Sequence, residues 1–206
     1  WNGGLRNIYE HMAYDFIYPD IRNVLRFLDN HDTDRFLKEM PTDLSVWKQA
    51  ITFLLTMTGT PQLYYGTELL MHGDKNRSDG DIRLDVPGGW PGDKENHFSR
   101  EGRSEIQNEA FDFLKKLLHW RKGNNIIAKG KMKHFVPQNG VYVYERYLDD
   151  ENIIVFMNGR SSEAEIDLSR YTETLKSRAN GKDLISGKTV SLNQNLKLNP
   201  REILII

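Results

Sequence analysis

Phe27-Leu28-Asp29-Asn30-His31-Asp32-Thr33-Asp34-Arg35 passes from an apolar run into acids, an amide and a histidine within two residues. The run leading into it, Val24, Leu25, Phe27 and Leu28, is partly β-branched or aromatic and too short for a stable helix, so it predicts a buried strand at about 24–28. In parallel α/β sheets and barrels the carboxyl ends of the strands form the mouth where ligands sit. Asn30, His31 and Asp32 fall at such an end.

Upstream, Leu5, Ile8, Tyr9, Met12, Ala13 and Phe16 recur at helical spacing and predict an amphipathic helix over about 5–17, stopped before Pro19. Downstream, Pro41-Thr42-Asp43 starts a helix whose apolar face, Leu44, Trp47, Ala50, Ile51, Leu54 and Leu55, runs to about 57. Gly59 closes it, and Pro61 followed by Leu63-Tyr64-Tyr65 predicts a second strand. Helix, strand, helix, strand implies a parallel sheet with crossovers. Residues 66–103 are rich in Gly, Asp, Asn and Pro and lack periodicity, as functional loops of this length do. Ser104-x-x-Gln107 is a capping box, and Ile106, Ala110, Phe111, Leu114, Leu117 and Leu118 carry a helix to about Arg121.

Beyond about Ile126 the hydrophobic period becomes two. Strands are predicted at 131–136, 141–147, 153–157, 164–168, 182–184, 189–192 and 202–205, with Asn139-Gly140 and Asn158-Gly159 as hairpin turns. This is the pattern of a small antiparallel sandwich. Two domains follow, 1–125 and 126–206.

A net charge of −1 in 206 residues gives no footing for nucleic acid or an anionic membrane, and no apolar run reaches a membrane span. The absence of cysteine removes disulfides and thiolate metal sites but leaves periplasmic, extracellular and cytoplasmic locations open. The start, Trp-Asn-Gly-Gly, has neither an initiator methionine nor a signal peptide, which predicts that the natural amino terminus lies upstream.

Phe27-Leu-Asp-Asn-His-Asp32 resembles the seventh-strand motif of the α-amylase superfamily of retaining glycoside hydrolases, and Gly59-Thr-Pro-Gln-Leu-Tyr-Tyr-Gly-Thr-Glu68 resembles its eighth-strand motif. Asn-His-Asp-Thr-x-Arg and the segment Gly80-Asp-Ile-Arg-Leu-Asp-Val-Pro-Gly-Gly-Trp-Pro-Gly-Asp93 are similar to cyclomaltodextrinases and neopullulanases. The resemblance spans the chain but covers only the last part of such an enzyme. It implies strands seven and eight of a (β/α)8 barrel followed by a β-sandwich, in a parent that cleaves α-glucosidic bonds of maltodextrin, pullulan or cyclodextrin.

Retaining hydrolysis needs a nucleophilic carboxylate and a carboxylic acid about 5 Å apart. In the resembled family these come from the fourth and fifth strands, so neither is expected here and the chain alone is expected to be inactive. Asp32 carries over as the carboxylate that binds the sugar hydroxyls at the cleaved residue and stabilises the distorted ring, with His31 beside it. Asn30 is a candidate substrate-binding residue with a structural role at the turn as the alternative, and Arg35 is expected beside Asp32 or a neighbouring subsite, with a solvated surface position equally open. Arg83, Asp85 and Trp90 are candidate sugar contacts; an Arg83–Asp85 pair that only shapes the loop is the alternative. Gly80-Asp-Ile-Arg-Leu-Asp85 imitates the family's nucleophile motif, but its place after the eighth-strand motif makes it a loop.

Tyr64, Tyr65 and Glu68 are expected to pack and Trp47 and Trp120 to lie in the core; His72 and His97 could line the cleft, but with no carboxylate to pair them they are expected to be solvated. A capped turn or a metal site at Asp29, His31, Asp32 and Asp34 is the rival reading, but one histidine on an extended segment is a poor ligand set. Asp74-x-Asn76-x-Ser78 with Asp85 half-resembles a calcium loop with its glycine one place late. No cofactor is predicted, with calcium left open for the parent. The expected partner is an α-glucan oligosaccharide, with self-association through the uncovered barrel strands. The alternatives are a noncatalytic carbohydrate-binding fragment, with Tyr142, Tyr144 and Tyr147 as its only candidate platform, or part of a glucosyl transferase or isomerase.

Overall fold

The computed structural model of the chain describes residues 4–206. The elements in order are α1 (Gly4–Met12), β1 (Leu25–Phe27), α2 (Ser45–Thr56), β2 (Thr60–Gln62), α3 (Glu105–Lys122), α4 (Asn125–Lys129), β3 (Lys131–Gln138), β4 (Val141–Leu148), β5 (Glu151–Asn158), β6 (Ala164–Ile166), α5 (Thr172–Leu175), β7 (Asn180–Lys182), β8 (Thr189–Ser191), β9 (Leu196–Leu198) and β10 (Ile203–Ile205). They fall into two compact units. One comprises Asn23–Leu55 with Gly59–Gly123, and the other the residues through Arg22, Thr56–Thr58 and Asn124–Ile206.

In the first unit β1 and β2 are parallel, in register from Leu25↔Thr60 to Phe27↔Gln62. Gly59 permits their approach: its φ is +108°, and a Cβ there would come within 2.8 Å of the Val24 carbonyl oxygen, which accepts a hydrogen bond from Thr60 N at 2.9 Å. On α2 the apolar face fills the core through Trp47, Ile51, Leu54 and Leu55. Trp47 meets Phe113 of α3 with ring centroids 6.1 Å apart, whereas Trp120 is only half-buried. The capping box opens α3 as expected, and Gln107 also donates from Nε2 to the Leu69 carbonyl at 3.0 Å, fixing the helix to the loop after β2. The second strand is shorter than predicted: it ends at Gln62, and Tyr64 and Tyr65 turn away to pack on each other, centroids 4.6 Å apart.

In the second unit the main sheet is antiparallel with order β10-β5-β4-β3. Val141, Val143, Ile154, Phe156 and Leu204 face a core shared with Ile166, Leu196 and Leu198, which sit on the small β6–β9 sheet. A further pair, β7–β8, completes the sandwich-like domain. The opposite face of the main sheet is covered by α1 and α4, so Val141 through Arg146 are buried continuously instead of alternating. That burial removes Tyr142 and Tyr144 as a sugar platform, because both are inside.

Three local expectations need correction. The first helix stops at Met12 because Tyr14-Asp15-Phe16-Ile17-Tyr18 is a run of poor helix formers before Pro19, and it continues as 3-10 turns with Phe16 81% exposed. Asn139-Gly140 is a hairpin turn, with φ of +50° and +75°, but Asn158-Gly159 is not. Asn158 is the last residue of β5, and its buried amide donates to the Ser162 and Asn199 carbonyls at 2.9 and 2.8 Å. The β4–β5 turn is instead made at Asp149, whose φ is +52°. Two short elements, α4 and β9, and the position of β7 at Asn180–Lys182 were not legible from periodicity over so few residues.

Candidate functional site

The segment leaving β1 is folded by its own side chains. Asp29 turns inward, and its Oδ2 accepts from Phe36 N at 2.9 Å. Burial pushes its carboxyl above the usual range, against the opposing pull of the Phe36 N–H and of Arg35. Asn30 Oδ1 accepts from Asp32 N at 2.7 Å and Thr33 N at 3.0 Å, while Thr33 Oγ1 accepts from Asn30 N at 3.0 Å. This Asx-type turn pins the backbone and sends the next two side chains outward. His31 and Asp32 are 65% and 66% exposed, with His31 Nε2 3.2 Å from Asp32 Oδ2.

The long loop then docks on that turn. Arg83 donates from Nε to the His31 carbonyl at 2.9 Å, and its Nη2 lies 3.4 Å from Asp32 Oδ1 and 3.2 Å from Asp79 Oδ2. Lys75 donates from Nζ to the Asp32 carbonyl at 2.6 Å and from its backbone N to Asp34 Oδ1 at 2.7 Å. Lys38 sits between Asp34 and Asp74, at 3.2 and 3.1 Å. Gly73 N donates to the Leu37 carbonyl at 3.0 Å. Asp32 is thus an open carboxylate flanked by an imidazole and a guanidinium, able to accept hydrogen bonds from hydroxyl groups.

Arg83 therefore meets Asp32 and Asp79, and the alternative in which it pairs with Asp85 does not occur. Asp85 is exposed, and Trp90 is 71% exposed in the following loop, its N donating to Asp93 Oδ2 at 2.9 Å. Arg35 is neither solvated nor paired with Asp32. It is 2% exposed, donating from Nε to the Ile82 carbonyl at 3.0 Å and from Nη1 to the Tyr65 carbonyl at 2.6 Å, with its guanidinium 3.9 Å from the Tyr64 ring centroid. It positions the wall behind the site. The histidines of the loop are also not simply solvated: His97 is mostly covered, with Nε2 3.2 Å from Glu95, and His72 Nδ1 is 3.3 Å from the Leu70 carbonyl.

Sequence reasoning missed Lys75, Lys38 and Asp79. Their signal was the spacing of opposite charges four residues apart, Asp34–Lys38 in the motif segment and Lys75–Asp79 and Asp79–Arg83 in a stretch read only as irregular. Among the described residues no three His, Cys, Asp or Glu side chains converge as a metal site.

The α-amylase catalytic-domain family matches residues 7–125. The chain belongs to the α-amylase family. Residues 132–206 match the cyclo-malto-dextrinase C-terminal domain, so part of a catalytic domain is followed by a sandwich-like one. A cyclomaltodextrin glucanotransferase of Niallia circulans is 31% identical over 177 residues, covering 82% of this chain and 22% of the relative. An α-amylase of the same organism is 27% identical over 198 residues, covering 92% of this chain and 34% of the relative. The chain thus spans about a third or less of these relatives. Among solved structures, the α-amylase of Geobacillus thermoleovorans complexed with acarbose superposes with a TM-score of 0.76 at 25% identity, covering 98% of this chain and 42% of that one. AmyP in complex with maltose has a TM-score of 0.77 at 19% identity, over 98% of this chain and 44% of its own, a likeness of fold.

Proposed function

We propose that this chain is part of a retaining α-glucan hydrolase of cyclomaltodextrinase or neopullulanase type, acting on maltodextrin, pullulan or cyclodextrin, and that it carries the last part of the catalytic barrel and the sandwich domain after it. The observation that carries this reading is the outward carboxylate of Asp32 at the outlet of β1, flanked by His31 and Arg83. Asp32 stabilises the transition state: a charged acceptor aimed at hydroxyls that bind more tightly in the distorted ring adds to rate without transferring a proton. His31 binds the same sugar, Asn30 sets the turn, and Arg83, Asp85 and Trp90 contact neighbouring sugars. Arg35 acts as a positioning residue. The nucleophile and general acid come from barrel strands outside these residues, so the 206-residue chain by itself does not hydrolyse glucans.

The catalytic portion is 1–125 and the sandwich domain 126–206. The exposed Leu25 and Phe27 on β1, which pairs only with β2 among the described residues, favour covering by further barrel strands or by a second copy. Sedimentation of the purified chain tests this, and a monodisperse monomer contradicts self-association. Glucosyl transfer is the second reading, favoured by the 31% identity to a glucanotransferase. Products of the intact enzyme separate the two.

The deciding experiment is Asp32→Asn in the intact enzyme. The expected loss in kcat on maltoheptaose is about a thousandfold or more, about 4 kcal/mol of transition-state stabilisation, with an unchanged melting temperature. Near-normal turnover overturns the assignment.

A further inference from the structure

A second candidate site lies wholly within the sandwich-like domain, in a pocket of about 290 Å3. Three stretches build it. The β3–β4 turn supplies Gln138 and Asn139, β6 and the turn after it supply Glu165, Arg170 and Tyr171, and the segment before β9 supplies Asn195. Antiparallel pairing of β6 with β9 sets Asn195 Nδ2 2.8 Å from Glu165 Oε1. Tyr171 is held rigid, edge-on to Phe135 at 4.8 Å and to Phe156 at 6.2 Å between ring centroids.

The decisive feature is Arg170. It lines the pocket, and its Nη1 is buried without a hydrogen-bond partner. A buried guanidinium N–H without an acceptor is costly, and one that lines a pocket can be satisfied by an acceptor from outside the chain. The guanidinium meets the Tyr171 side chain, yet no group of the lining accepts from Nη1.

The chemistry of the lining selects the ligand. An anion meets Glu165 and Asp167, and a cation meets Arg170. A neutral ring carrying hydroxyls can instead accept from the guanidinium and amides and donate to the carboxylates, while Val141 and Ile166 supply apolar surface. The volume falls just below the range for small-molecule sites, about 300–1,000 Å3, which suits one or two rings and not a long chain. We propose that this pocket is a noncatalytic binding site for a neutral pyranose unit, such as the end of an α-glucan, with Arg170 Nη1 donating to one hydroxyl and Glu165 accepting from another. The assignment is independent of the role given to Asp32.

The test is a titration of the 15N-labelled 206-residue chain with maltotriose to about 20 mM, a range suited to weak sugar binding. The side-chain amide signals of Gln138, Asn139 and Asn195 are expected to shift and saturate. Arg170→Met and Glu165→Gln, each with an otherwise superimposable spectrum, should weaken that binding about tenfold or more, whereas Asp32→Asn should leave it intact. Amide signals that stay fixed, or that shift equally in both pocket variants, overturn the proposal. Saturable shifts with sodium sulfate but none with maltotriose also overturn it, marking an anion site. Should Arg170→Met fail to fold, Asn195→Ala takes its place with the same expectation.

Discussion

Arg146, buried in the sandwich-like domain, and Arg83, exposed beside Asp32, carry the same guanidinium to opposite ends. Arg146 is surrounded by main chain: Nη1 donates to the Thr56 and Met57 carbonyls at 2.7 and 2.9 Å, and Nη2 to those of Ile127 and Gly130 at 2.9 and 2.7 Å. These are satisfied donors in a dry environment, where leaving an acceptor unpaired is costly. Arg83 meets its carboxylates directly but at the exposed surface, where salt and water weaken each pair. The lesson is that burial decides whether a charged side chain holds the fold or stays available to a ligand.

The comparison breaks most readily at Arg146. Arg146→Met should cost about 3–5 kcal/mol of folding stability, read in chemical denaturation, because it orphans several buried carbonyls at once. A loss under about 1 kcal/mol would show that these contacts are dispensable. Arg35 belongs to the buried class despite lying in the site motif. Arg35→Leu should cost about 2–3 kcal/mol by freeing the Tyr65 and Ile82 carbonyls. A variant of native stability but weakened glucan binding would return Arg35 to the exposed class.

A smaller effect is expected from pH. Burial holds the His134 imidazole below its ordinary 6.5, with the Asp15 carboxylate opposing, and the Tyr9 ring packs tilted against it, centroids 4.7 Å apart. The unfolded chain therefore takes up the proton first on acidification. The contribution of the neutral ring is fully present above the ordinary value and is lost as pH falls through the lower folded value. Melting temperatures measured between about pH 7.5 and about pH 5.5 should fall, and His134→Phe should flatten that slope. An identical slope in the variant excludes His134 as its source. Least affected should be the stability of Arg83→Ala, by about 0.5 kcal/mol or less, together with a clear loss of glucan affinity in the intact enzyme. A large drop in stability would place Arg83 with Arg146.

Local pattern carried most of the architecture. The shift from helical to twofold period near Ile126, the Ser104–Gln107 capping box and the Asn139-Gly140 turn each depend on residues within a few positions of one another, so they are readable without a fold. Asn158-Gly159 failed by the same logic: its amide is claimed by the Ser162 and Asn199 carbonyls, the latter far along the chain, and that claim outweighs turn preference.

By itself the sequence determined that an apolar strand ends in Asn30-His31-Asp32 and that helices and strands alternate before an all-β region. Only the tertiary structure decided which arginine meets Asp32 and which is buried, that Lys75 and Lys38 tie the long loop to the turn, and that Tyr142 and Tyr144 are inside. The reason is physical. The contacts joining Arg83 to His31 and Lys75 to Asp34 close loops of 52 and 41 residues, and no propensity or period acts over such distances.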